Sequence, residues 1–149
     1  MTLLFIVATL LQAALILLDE FYFHWKRNLP KWERIGHPVD TAALLAPLSI
    51  AAFAGFSETT MRIYILLAIV SCLCVTKDEW VHREVAPATE QWLHAVLFVL
   101  HPVVLISAYF TWQVSPFLIQ LVIPPMALFL VYQLLFWNFY ANRFFEKRQ

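Results

Sequence analysis

Apolar residues fall in long unbroken runs, with no period of two and few polar interruptions. The runs cover residues 2–18, 41–56, 61–76, 92–112 and 117–140. A helix crossing a bilayer needs about 20 apolar residues, and about 17 at the short end. Each run therefore predicts one membrane-spanning helix. The fold expected is an all-α integral membrane protein with five transmembrane helices, residues 1–149 forming one membrane domain. The first run reads as a span and not as a leader, because no basic residue precedes it and no small-residue cleavage site follows it.

Prolines and small polar residues mark the joints. Ser57 or Thr59 suits the cap of the third helix, and Pro87 with Thr89 suits the start of the fourth. Ser115-Pro116 makes a turn, Pro102 predicts a kink, and Pro124-Pro125 predicts a break within the last helix. His37 precedes Pro38 and is biased away from helical geometry. The second span is thus expected to start at Asp40-Thr41, with Asp40 as N-cap.

The polar residues between the runs repeat. Asp19-Glu20, aromatics, His24, Pro30, Glu33 and His37 make one series. Asp78-Glu79, Trp80, His82, Pro87, Glu90 and His94 make the other. Each has an Asp-Glu pair, a His, a Pro, a Glu three residues on and a His four further. The first series is longer by one residue before its first His. Four of the five histidines lie in this pattern. Two tandem helix-motif-helix repeats, about 1–56 and 57–113, are expected to make a four-helix bundle, with an extra helix at about 116–141.

Composition fits a bilayer. The chain is 62% hydrophobic and 13% charged, with a mean hydropathy of +0.71. Soluble domains carry about 25% charged residues. Net charge is zero, yet its distribution is lopsided. Lys26, Arg27, Lys31, Arg34, Lys77, Arg83, Arg143, Lys147 and Arg148 fall on the motif side of a five-span chain, and Arg62 alone on the other. The positive-inside rule then makes the motifs and the C-terminus cytoplasmic and the N-terminus external, in a bacterial-type inner (plasma) membrane. Phe21, Tyr22, Phe23, Trp25 and Trp32 suit a headgroup interface.

Residues four apart share a helix face. Glu20 and His24, Glu33 and His37, Asp78 and His82, and Glu90 and His94 are such pairs, and Glu79 stands three before His82. Carboxylates and imidazoles sharing a face near a bilayer point to a bound cation, since unpaired buried acids are costly. The Glu-x-x-His spacing of Glu79 and His82 resembles that of di-iron carboxylate helical-bundle proteins. That resemblance covers the motif residues only and implies two metal ions, with iron favoured over zinc. The multi-His boxes of membrane desaturases are absent. Alternating helix directions predict two ligand layers. Asp19 or Glu20, His37, Asp78 or Glu79, and His94 form the deep one; His24, Glu33, His82 and Glu90 form the shallow one.

His101 continues the face of His94 deeper in the span and reads as a further ligand, a second-sphere group or a hydrogen-bonded interior His. Asp40 is a comparable candidate. Cys72 and Cys74, two apart, suit small buried thiols better than ligands or a disulfide. The aromatic end of the last helix reads as packing and lipid contact. With two glycines, the chain has no phosphate-cradling loop, and it has no basic nucleic-acid face. The function expected is a di-metal oxidoreductase acting on an apolar or lipid-like substrate with an electron donor. The alternatives are a di-zinc hydrolase and a metal-binding or metal-sensing membrane protein.

Overall fold

The computed structural model describes residues 1–149 apart from 78, 80–82, 85, 142, 143 and 145–149. The described residues form helices and no strands. Five are principal: α1 (Thr2–Leu18), α2 (Lys31–Phe53), α3 (Glu58–Cys74), α4 (Ala88–Val114) and α5 (Pro116–Tyr140). A π-helical turn, Asp19–His24, prolongs α1, and another, Phe136–Tyr140, ends α5.

Among the described residues, Thr2–His24, Lys31–Phe53, Ala88–Val114 and Pro116–Tyr140 are long and apolar enough to cross a membrane by length and composition. The fifth helix, α3, is 17 residues long, at the lower limit for a span. Ser57 caps it, accepting from Thr60 N while Thr60 Oγ1 accepts from Ser57 N in a capping box.

α2 begins nine residues before the expected Asp40 and passes through Pro38. Pro38 and Gly36 are buried, so interhelical packing here outweighs the local bias against helix before a proline. Asp40 is consequently no N-cap. It lies within α2 and takes Lys77 Nζ on its Oδ2 at 2.6 Å. The break in α5 falls at residues 121–122, just ahead of Pro124-Pro125, which occupy the first turn of the Ile123–Leu135 segment. Prolines there forfeit no helical hydrogen bond.

The broadest contacts pair α1 with α4 and α2 with α3, while α5 lies along α2. The apolar core fills the end of the bundle remote from the motifs. Phe5 and Ala8 of α1, Leu48 and Ala51 of α2, Tyr64 of α3, and Val104, Ala108 and Trp112 of α4 are buried together there. Trp112 Nε1 and Gln120 Nε2 donate to the carbonyls of Ala54 and Ala52, two acceptors that the end of α2 leaves open.

At the motif end, α2 and α4 start alike. Their N-caps are Pro30 (φ −64°, ψ 158°) and Pro87 (φ −65°, ψ 157°). Arg34 Nε donates back to Leu29 O at 2.7 Å, and Gln91 Nε2 to Ala86 O at 2.9 Å, both across five residues. Extended caps and back-bonding side chains thus set Glu33 and Glu90 at the same point of the first turn, each followed by a His one turn later.

Candidate metal centre

The π turn at the end of α1 decides which groups meet. Residues five apart on an α-helix point about 140° away from each other. An i→i+5 turn brings them onto one side. Asp19 and His24 are five apart, and Asp19 Oδ2 lies 3.1 Å from His24 Nε2. From α4, His94 Nε2 reaches the same Oδ2 at 3.0 Å, and Glu90 Oε1 lies 3.7 Å from His24 Nε2. One ligand atom from each of Asp19, His24, Glu90 and His94 falls within 4.8 Å of the other three. All four residues are buried, Glu90 fully. A second group joins His24 to Glu33 and His37 of α2. Glu33 Oε2 is 3.9 Å from His37 Nε2, and the His24 and His37 rings are 4.6 Å apart.

The spacing suits one small cation. Nitrogen and oxygen ligands about 2.1 Å from a tetrahedral ion lie roughly 3.4 Å from one another; three of the contacts within the group are 3.0, 3.1 and 3.7 Å, and all its ligand atoms lie within 4.8 Å of one another. Hydrogen bonding alone leaves the group incomplete. Among the described residues, the buried Asp19 Oδ1 and His24 Nε2 make no hydrogen bond. Buried polar atoms are seldom left so, and a cation held within the group would give His24 Nε2, 3.1 Å from Asp19 Oδ2, a partner. The donor set, imidazole and carboxylate without thiolate, suits iron, zinc or manganese.

Glu20 stands on the other side of His24. Its Oε2 is 3.5 Å from His24 Nδ1, while its Oε1 accepts from Trp137 Nε1 at 2.6 Å and Tyr132 Oη at 3.0 Å. Tyr132 Oη in turn accepts from Trp25 Nε1 at 3.1 Å. Both donors come from α5. A carboxylate on the far nitrogen of a His holds its ring angle and tautomer and leaves Nε2 facing inward, the usual support of a metal-binding imidazole.

The expected residues are thus distributed unevenly. Asp19, expected as the alternative to Glu20 in the deep layer, is in the first group, and Glu20 lies in neither group. Glu33, His37, His24, Glu90 and His94 are brought together. Glu79 is exposed and in neither group; Asp78 and His82 lie outside the described residues. The two expected layers merge, because the π turn and the approach of α4 put deep Asp19 and His94 level with shallow His24 and Glu90. His101 belongs to neither group: its Nε2 is 2.8 Å from Ser71 Oγ and its Nδ1 3.4 Å from Gln12 Nε2, a polar contact joining α1, α3 and α4. Tyr132 and Trp137, read from the sequence as packing residues, carry the hydrogen bonds that hold Glu20.

The sequence does contain one signal for Asp19. The first series is one residue longer than the second between its Asp and its His. A π turn is the way a helix absorbs one extra residue while keeping its faces. No signal marked Trp137 or Tyr132, because their contact with Glu20 spans more than a hundred positions. Comparison of the chain with protein-family models, with curated proteins and with solved structures finds no match.

Proposed function

We propose that the chain is an integral membrane protein that binds two metal ions, iron in preference to zinc, at the motif end of its bundle. It works there as an oxidoreductase on an apolar or lipid-like substrate. The observation that carries this reading is the buried convergence of Asp19, His24, Glu90 and His94, with one ligand atom of each within 4.8 Å of the others. Insertion is supported by the bilayer-compatible lengths and by Leu3, Leu10, Leu66, Val99 and Leu128, each more than half exposed. Water would not tolerate such a belt on a monomer.

The two sequence copies exchange partners in this reading. Asp and His of the first series meet Glu and His of the second. Glu33 and His37 offer a second position beside His24. The matched caps of α2 and α4, and the matched pairings of α1 with α4 and α2 with α3, support it. The nine of ten basic residues expected on this side support a cytoplasmic position for it.

When bound, the metal pair supplies the redox chemistry. Glu20 orients His24. Asp19 and Glu90 supply negative charge at a point shielded from water. The apolar bundle around them suits a substrate that arrives from the bilayer.

The test is metal analysis of protein purified without added chelator, with optical spectra under air and under reductant. About two irons per chain and air-sensitive bands are expected. Zinc without bands moves the reading to a hydrolase. Absence of metal even after loading, or a haem Soret band, removes it.

A further inference from the structure

Next to the ligand group the surface is hollowed by about 390 Å³, between Tyr22, Phe23 and Lys26 on one side and Pro87, Thr89 and Glu90 on the other. Small-molecule sites span about 300–1,000 Å³. The walls are the π turn of α1 and the first turn of α4, the two elements that supply Asp19, His24, Glu90 and His94. Glu90 lines the hollow while its side chain stays buried, so the hollow abuts the ligand group without opening onto its carboxylate. We propose that this hollow is the substrate site, and that it takes an amphiphile with an anionic headgroup, a carboxylate or a phosphate ester on a hydrocarbon chain. The inference rests on the metal reading above.

Charge and polarity select this class. Of the six lining residues, Lys26 is the one cation, exposed at the rim with Nζ 3.8 Å from the Tyr22 ring centre. Glu90, the one acid among them, faces His24 at 3.7 Å and belongs to the ligand group. A headgroup anion at the rim therefore meets Lys26, and Tyr22, Phe23 and Pro87 offer apolar surface to the carbons that follow. Those carbons, and not the chain's far end, then lie nearest the metal position. Depth agrees, since Trp25 and the exposed Trp32 suit the headgroup level. A second hollow among the described residues, about 410 Å³ between α3 and α4, is lined by Tyr64, Cys72, Leu105, Tyr109 and apolar neighbours. It holds no charged residue and none of the ligand group, so nothing there would select a headgroup.

The test uses electron spin resonance on the full chain in phosphatidylcholine nanodiscs at about pH 9, where carboxyls are ionised and lysines remain charged. The probes are chain-labelled stearic acid and its methyl ester, which differ in the headgroup charge alone. Wild type should hold the acid over the ester by roughly three- to fivefold, the range of a partly exposed ion pair. Lys26→Ala should erase the preference and Lys26→Arg keep it. Lys31→Ala, at another exposed lysine of the same interface, should leave it intact. Thr89→Trp, which fills the hollow, should release the probe. The inference is overturned if the preference survives Lys26→Ala, if Lys31→Ala abolishes it equally, or if acetate displaces the acid at matched concentration. Metal content is measured on every sample. Protein without metal sinks the parent reading, whereas metal-loaded protein without the preference sinks this inference alone.

Discussion

Glu20 is the residue whose role the geometry changes most. A buried carboxylate bound by an indole and a phenol donor is fixed in place, and through its other oxygen it fixes His24. Outer-sphere partners of a metal-binding His are worth about 10–100-fold in metal affinity. Trp137→Phe should lower metal affinity by about that factor, and Tyr132→Phe by less, because Glu20 Oε1 then keeps its shorter bond. Trp32→Phe, at an exposed ring, should change nothing. Titration with metal in detergent measures this, beside the melting temperature of metal-free protein. Lost packing alone would lower the melting temperature and spare the affinity. His101 is the contrasting case. Both its nitrogens are engaged by Ser71 and Gln12, so His101→Leu should leave metal content unchanged and reduce stability by about 1–3 kcal/mol as two buried polar partners lose their bonds.

Among elements, the π turn is the most informative, because it sets which faces meet. If it absorbs one extra residue, removing that residue should restore an ordinary helical turn with Asp and His four apart, the spacing of the second series. Deletion of Tyr22 should therefore retain metal. Deletion of Gln91, inside the regular turn between Glu90 and His94, should abolish it by rotating one ligand off the face. Equal loss in both variants would mean that the turn holds no spare residue. The helices themselves were legible from apolar runs, because their length and composition alone mark them. Their starts were less so. Pro38 argued locally for a boundary, and packing of Gly36 and Pro38 prevailed. His24, Glu33, His37, Glu90 and His94 were legible from spacing. The pairing of Asp19 with His24 was not, because the wheel used for spacing was that of an α-helix. The part played by α5 was not legible at all, as hydrogen bonds between distant positions leave no periodic trace.

At the scale of the whole molecule, charge distribution and buried charge make separate predictions. Reporter fusions should place the N-terminus outside and the C-terminus inside, and both ends in one compartment would contradict five spans. Buried charge gives the sharper test. Asp19 and Glu90 are buried in one group and Glu33 in the other, the two sharing His24, with Glu20 beside it. Without a cation such acids repel or take up protons. With one, each is a ligand. Metal at about 100 times its dissociation constant stabilises by about 2.7 kcal/mol per site, or roughly 5–10 °C in a chain of this size. Chelation, which empties both proposed sites, should lower the wild-type melting temperature by about twice that amount. Glu90→Gln keeps the shape of the side chain and removes its charge. It should melt below wild type when both are metal-loaded and above wild type when both are stripped, because the stripped protein is relieved of one buried acid. A carboxylate serving only as a hydrogen-bond acceptor for His24 predicts otherwise: the variant would be the less stable of the two under both conditions. The crossing of the two pairs of melting curves in detergent, with and without chelator, therefore separates a site built around a cation from a cluster held together by hydrogen bonds.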